Sequence, residues 1–468
     1  MTTAKADTPR GSGPAAARTD PSFDGRQRLV LLVLLGAGFM LSVDFSILNV
    51  AVPAVAAGVG LEASGLSWIT AAYALPAAGF TLLFGRLADL FGRRRLFLSG
   101  MALLAGASAL GGFASTPGML LTARGLQGIA TAMAAPAALS LLTTTFTEGA
   151  TRARVLGLNG ALMSAGFTVG NLVGGTLVSL LGWRAAFFIN VPVAVLILLV
   201  TPVLIAESRN PERQRLDAPG ACTVTVGLLA LVYGVIDKNV IAGGIGLVLL
   251  VAFWMIELRS PAALAPVRIL RRPTVKWGNC AGLVIFTMEP AMIFLLTLHL
   301  QQTWGLSPFA AGLVFGIPGL GSVIAGVIAG RLMGRFDSRT VLTAGLAVQG
   351  VATLPLLFLT NSPAGVIVVI PALFIGFFGH VSAIVAYTVT ATSGLPNHEQ
   401  GLAAGLTSMT QQVALTVGIP ILASIAATQA GMLPGIRLAL GIDVFVTLTS
   451  AVLIWWRLGA RRCPAQHH

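Results

Sequence analysis

Long apolar runs separated by short polar breaks repeat from residue 29 to residue 458. A helix needs ~20 mostly apolar residues to cross a bilayer, and about fourteen runs approach or exceed that length. They lie near 29–52, 64–84, 96–115, 118–142, 152–180, 185–206, 217–236, 240–258, 276–300, 309–330, 340–360, 364–390, 400–427 and 436–458. The pattern predicts an all-α polytopic membrane protein.

The polar breaks alternate in charge. With a cytoplasmic N-terminus, the inner connections carry Arg86/Arg93/Arg94/Arg95, Arg152/Arg154, Arg209/Arg213/Arg215, Arg259/Arg268/Arg271/Arg272 and Arg331/Arg335/Arg339, then Arg461/Arg462 in the tail. The loop with His398 and Glu399 is the inner one lacking arginine. The opposite connections hold little beyond Arg184, Lys238 and Arg437. This is the positive-inside bias, repeated along the chain. Losing one span would put later clusters outside, so an even number of spans with both termini cytoplasmic is expected.

The triplet Gly85-Arg86-Leu87 after the second run returns as Gly330-Arg331-Leu332 after the tenth, each opening a basic stretch. That repeat predicts two six-helix halves with two helices between them. The expected division is a disordered cytoplasmic tail over 1–28, an N-terminal six-helix bundle over 29–206, two additional transmembrane helices over 207–262, a C-terminal six-helix bundle over 263–458 and a cytoplasmic tail over 459–468. Residues 1–28 hold too few large apolar side chains to bury a core. The first apolar run is too long for a cleaved leader and reads as an uncleaved signal anchor.

Composition narrows the class further. Of 468 residues, 56% are hydrophobic and only 10% charged, against about 25% charged in soluble domains. Mean hydropathy is +0.88. The net charge of +13 sits in short loops, where it orients helices and does not suggest nucleic acid. The lysines are Lys5, Lys238 and Lys276, and none follows a glycine, so the chain has no Walker A phosphate loop. It has no HExxH zinc helix and no Gly-x-Ser-x-Gly elbow. Cys222, Cys280 and Cys463 are far apart; no metal site or disulfide framework is expected, and the first two read as small buried hydrophobes. The expectation is therefore neither an enzyme nor an ATP-driven pump. The arginine, alanine and glycine bias suggests a high-GC bacterium.

Four intramembrane ionisable groups stand out, because such charges are costly and usually functional. Asp44 lies about fifteen residues into the first run, a depth where a charge costs at least ~2.5–3.5 kcal/mol. It needs water or a partner, and is a candidate proton carrier or cation contact. Arg124 lies inside the fourth run, placed so that pairing with Asp44 is feasible. Glu289 is close to the middle of its run with nothing local to neutralise it, and Pro290 is expected to break the helix there. Asp443, in the last run, is expected nearer the outer surface and more easily solvated. Structural hydrogen bonding is the plainer role open to each.

Glycines give a second signal. Gly157, Gly166, Gly170, Gly174 and Gly175 lie along the fifth run, about 27 Å of helix. Gly166, Gly170 and Gly174 recur every fourth residue and form one stripe without side chains, against which another helix can pack closely. With Asn171, this spacing resembles the antiporter signature of major facilitator superfamily exporters, with Asn171 where that family usually has proline. Asn171 keeps a backbone donor that proline would remove, so any bend must come from the glycines or from its side chain. Gly85, Asp89, Gly92, Arg93 and Arg94 resemble the superfamily's loop between its second and third helices, with Leu90 at a position that is usually basic. Tight turns are expected at Gly85 and Gly92, and Asp89 is expected to latch the cytoplasmic side.

Leu41-Ser-Val-Asp44 through Pro53 resembles the first-helix motif of the fourteen-span drug:proton antiporters, and Arg124 with Gln127 resembles the superfamily's fourth-helix motif. The stretches Trp183–Pro192, Leu298–Pro308 and Gly401–Leu406 extend the likeness to nearly all of 29–458. The resemblance implies the major facilitator fold with fourteen transmembrane helices. It also implies proton-coupled antiport exporting hydrophobic or cationic small molecules by alternating access, with Arg124 helping Asp44 to discharge its proton. A proton-coupled uptake permease or a metabolite exporter on the same fold stays open. The expected partners are a small-molecule substrate, protons and the lipid bilayer; the expected state is a monomer in the bacterial inner membrane. No cofactor is expected beyond the proton gradient.

Overall fold

The computed structural model describes residues 24–62, 65–146, 150–208, 218–259, 267–393, 395 and 397–459. These residues form helices and turns, with no strand among them. The α-helices are α1 Gly25–Val59, α2 Leu66–Phe91, α3 Arg93–Gly112, α4 Pro117–Thr145, α5 Ala150–Leu181, α6 Ala185–Phe188, α7 Asn190–Leu204, α8 Ala218–Ile236, α9 Val240–Arg259, α10 Pro273–Leu298, α11 Pro308–Arg335, α12 Ser338–Thr353, α13 Val366–Thr392, α14 Asn397–Ala426 and α15 Met432–Gly459. Among the described residues, 12 helical stretches are long and apolar enough to cross a membrane, with α6 and α7 counted together. The long helices α2 and α5 lie beyond those 12.

Local chemistry sets the helix ends. Asp24 and Gln27 form a capping box at the start of α1. That cap starts the helix at Gly25, inside the stretch expected to be disordered. Thr116 caps α4 by accepting from Met119 N at 3.3 Å, and Ser307 caps α11 by accepting from Ala310 N at 3.2 Å. Each cap is followed by proline at the first helical position, where a missing N–H costs nothing.

Gly92 breaks the chain between α2 and α3 with φ 118°, a conformation that favours glycine. Gly85 makes no turn: it lies inside α2, whose hydrogen bonding continues to Phe91. The repeated triplet behaves the same way in both copies, since Gly330 lies inside α11. The predicted break at Pro290 is also absent. Pro290 is buried inside a continuous α10, which ends in a π-helical turn at His299–Thr303. Neighbouring helices hold the proline in place, which membrane helices tolerate well.

α1 packs mainly on α5, and α3 packs on α4 and α7; α13 packs on α11 and α12, and α10 on α14. The two sets meet along α5 with α11 and along α2 with α14. α8 and α9 form a hairpin whose α8 sits against both α2 and α14. Thr225 Oγ1 donates to Gly79 O at 2.9 Å, and Ser424 Oγ donates to Val235 O at 3.1 Å. Cys222 on α8 is exposed and Cys280 is half-buried, so neither is the fully buried hydrophobe expected. In a spanning helix an outward-facing thiol meets lipid, which suits it as well as a core does.

The two ends of the bundle differ. Toward the end where α1 finishes, one apolar core includes Val50, Val55, Trp183 and Phe187 with Phe294, Trp304, Phe315 and Ile436. It therefore joins α1 and α6 to α10, α11 and α15. Toward the other end the apolar cores are separate. One is built from α1–α5 and α7, around Phe97 and Leu141, and the other from α10 and α12–α15, around Leu342 and Ile454. Hydrogen bonds reinforce the sealed end: Gln301 Nε2 donates to Val50 O at 2.7 Å, and Phe309 N donates to Ser179 Oγ at 2.9 Å.

Candidate functional site

Asp44 is 1% exposed in the middle of α1. Five helices meet around it. Gln127 Nε2 donates to Asp44 Oδ1 at 3.0 Å and to Ser108 Oγ at 2.9 Å. Asn190 Nδ2 also donates to Asp44 Oδ1. The Arg124 Nη1 atom stands 3.7 Å from Asp44 Oδ2, donates to Gln127 Oε1 at 2.7 Å, and its Nε donates to Ile69 O at 3.2 Å. The guanidinium lies over the Tyr73 ring, 4.4 Å from its centroid, and the Tyr73 hydroxyl is 2.8 Å from Thr131 Oγ1. The predicted Asp44–Arg124 pair is therefore present, inside a network that fixes both groups. Buried charges need this kind of support, because an uncompensated one costs several kcal/mol.

Glu289 and Asp443 belong to the other helix set. Glu289 is not alone: its Oε2 pairs with His380 Nε2 from α13. Nothing near His380 in the sequence points to this pair, because α10 and α13 come together only through the fold. Asp443 is 1% exposed, contrary to the solvated position expected for it. α10, α12 and α14 pack on α15 and keep water from it. Thr447 Oγ1 donates to Asp443 Oδ1 at 3.1 Å, while Oδ2 has no hydrogen-bond partner. Asp443 on α15 and Glu289 on α10 belong to helices that pack against each other. Asp44 and Glu289 lie in separate clusters, one in each helix set.

The glycine stripe is a seam. A Cβ on Gly166 would stand 2.8 Å from Phe39 O, one on Gly170 would strike Ser46 Oγ, and one on Gly174 would stand 2.5 Å from Ile47 O. All three face α1, the helix carrying Asp44. Gly175 faces the other way, onto Pro308 and Gly312 of α11. Asn171 is buried and donates through Nδ2 to Phe167 O at 3.1 Å, one turn back in its own helix. The surroundings of Gly157 and the side chain of Asp89 lie outside the described residues.

At the α2–α3 turn a residue not anticipated from the sequence caps the helix. Glu207, just after α7, accepts from Arg94 N at 3.1 Å and from Arg95 N at 3.2 Å, with both guanidinium groups nearby. A carboxylate at a helix N-terminus satisfies orphan donors and complements the dipole. Arg93 Nη1 donates to Ser208 Oγ at 3.1 Å, and Arg94 Nη1 to Ile205 O at 3.0 Å. The motif thus ties α3 to the end of α7.

The Major Facilitator Superfamily matches residues 34–419. The chain belongs to this superfamily. It is 34% identical to the puromycin resistance protein pur8 of Streptomyces alboniger, over 94% of this chain and 92% of that protein. It is 35% identical to the cephamycin export protein CmcT of Amycolatopsis lactamdurans, over 84% of each. It is 32% identical to the probable actinorhodin transporter of Streptomyces coelicolor, over 89% of this chain and 75% of that protein. A crystal structure of an auto-inhibited POT family peptide transporter superposes with TM-score 0.70 at 17% identity, covering 94% of this chain and 98% of that one. At that identity the likeness concerns the fold alone. This superfamily member is a multi-pass membrane transporter, not an enzyme, and the relatives named here are an antibiotic resistance protein, an antibiotic export protein and a probable transporter.

Proposed function

We propose that the chain is a proton-coupled antiporter that exports hydrophobic, cationic small molecules across the bacterial inner membrane by alternating access. The observation that carries this reading is the burial of separate carboxyl clusters, one on each side of the seam between two helix sets. Fourteen crossings, a six-plus-two-plus-six division and cytoplasmic termini fit the arginine alternation. With that orientation the sealed end is outside, and the separate cores face the cytoplasm. The arrangement suits capture of substrate from the inner side.

Protons would be carried by Asp44, Glu289 and Asp443, with Arg124 favouring discharge of Asp44. The aromatic rings of Phe45 and Phe167, 6.3 Å apart, lie near the first cluster, and Phe286 packs edge-on to His380 at 6.3 Å in the second. Such rings suit an apolar cation. The export relatives support the direction. Gly175 and Gly312 bring α5 and α11 to backbone contact, which supports a rocking seam that slides without side-chain interlock.

The test is transport into inverted vesicles with an acidic lumen. Vesicles containing the protein should accumulate tetraphenylphosphonium and lose their pH gradient as they do so. A gradient untouched by substrate contradicts proton coupling, and accumulation only in right-side-out vesicles indicates an uptake permease.

A further inference from the structure

The bundle holds Asp44, Glu289 and Asp443 at depth, each at most 5% exposed. Two of them have a basic partner: Arg124 for Asp44 and His380 for Glu289. Asp443 has none. Its single hydrogen bond comes from the neutral Thr447 hydroxyl, and its Oδ2 is buried without a partner. Glu257, near the end of α9, is buried too but is partnered and lies outside these clusters.

The helices packed around Asp443 bring few other charges. α10 contributes Glu289, with Lys276 and Cys280 toward its opposite end, and α13 contributes His380 through Glu289. Arg437 on α15 is engaged by the carbonyl of Leu359. His299 on the π-turn is bonded to Thr360 O at 3.2 Å. At the far end of α12 and α15, Arg339 stacks on Trp455. On α14, the side chains of His398 and Glu399 lie outside the described residues.

Charge accounting then separates the three carboxyls. A low-dielectric interior tolerates a compensated pair and resists a net charge. Whichever of Glu289 and His380 holds the proton they share, the pair is neutral, and Asp443 completes a neutral cluster only by keeping its own proton. Loss of that proton leaves one net negative charge in the cluster. That vacancy matches one monovalent organic cation.

Resting on the exporter reading above, we propose that Asp443 carries the proton exchanged for substrate, while His380 is a positioning counter-ion that holds Glu289. In the exchange, the O–H bond of Asp443 breaks and its proton passes to water at the open end. The substrate's positive charge replaces it, so the cluster stays neutral, with one proton released per monovalent cation bound.

The experiment measures proton release from detergent-purified protein in weak buffer on adding tetraphenylphosphonium, with binding followed by calorimetry. Wild type should release about one proton per bound cation. Asp443→Asn, which is nearly isosteric, should bind with at least tenfold altered affinity and release none. The pair-neutral double variant Glu289→Gln/His380→Gln should still release the proton, even with weakened binding. A carbonyl-stretch infrared band from a protonated carboxyl should disappear on binding in wild type and be absent from Asp443→Asn. Proton release from Asp443→Asn, or a band that is still present in it and disappears on binding, overturns the assignment and leaves the exporter reading intact. Silence of the double variant, with its binding retained, also overturns the assignment. Binding to wild type without release overturns both.

Discussion

The two buried clusters solve the same problem differently. Around Asp44, four other helices supply hydrogen bonds, an ion pair and a stacked guanidinium, and each polar group supports the next. Around Glu289 and Asp443, one histidine and one threonine do the work; His380 Nδ1 and Asp443 Oδ2 lack hydrogen-bond partners among the described residues, as does Asp44 Oδ2, but only Asp44 Oδ2 faces a guanidinium, at 3.7 Å. The first arrangement is over-determined and holds its charges in place. The second is sparse, leaving one acid that must hold a proton or meet a cation. A transporter needs both: a rigid frame, and a site whose charge state responds to what enters.

The largest expected effect comes from breaking the dense cluster. Arg124→Ala leaves Asp44 buried without its counter-charge and should cost about 3–5 kcal/mol, read as a large fall in melting temperature of the purified protein. Arg124→Gln with Asp44→Asn should recover part of that loss, because the coupling of the pair is removed with it. Full additivity of the two substitutions contradicts the pairing.

Next in size is the seam beneath Asp44. Gly170→Val places side-chain atoms where Ser46 and Val43 O stand, and overpacking of this kind costs typically ~1–3 kcal/mol. Transport should fall more than stability does, since α1 carries Asp44 on the same stretch. Gly106→Ala, at a position with open space around it, serves as the comparison and should leave vesicle transport unaltered.

The sparse cluster should respond more mildly in stability. His380→Gln removes one pairing contact and leaves a carboxyl that can take up a proton, whereas Arg124→Ala also removes the bonds to Gln127 Oε1 and Ile69 O and the stacking on Tyr73, so the folding loss should be smaller than for Arg124→Ala. Thr447→Val removes the hydrogen bond to Asp443 and should cost about 1 kcal/mol. Differential scanning in one detergent would order all four variants, and an equal loss for His380→Gln and Arg124→Ala contradicts the contrast between the clusters.

Much of this was legible in the residues. Long apolar runs and alternating arginines located the long helices, because lipid demands length and continuity, though α1 and α2 run on to Val59 and Phe91, past the expected 52 and 84. Asp44 and Arg124 could be paired on paper since each sits at a known depth in its run. The partners of Glu289 and Asp443 could not. His380 is separated from Glu289 by two helices, α11 and α12, and no spacing rule connects them. Glu207 as the cap of α3 was hidden for the same reason. Pro290 and Gly85 misled because local propensity was overruled by the surrounding helices. Gln127 and Asn190 stood in the quoted motifs, but only packing reveals that both aim at one carboxylate oxygen.

The most direct test of the account is substrate-driven proton movement in proteoliposomes, comparing wild type with Asp44→Asn/Asp443→Asn. Adding tetraphenylphosphonium to wild-type liposomes should dissipate an imposed pH gradient, and the double variant should leave it standing. Dissipation at the wild-type rate in the double variant would show that coupling runs through other groups.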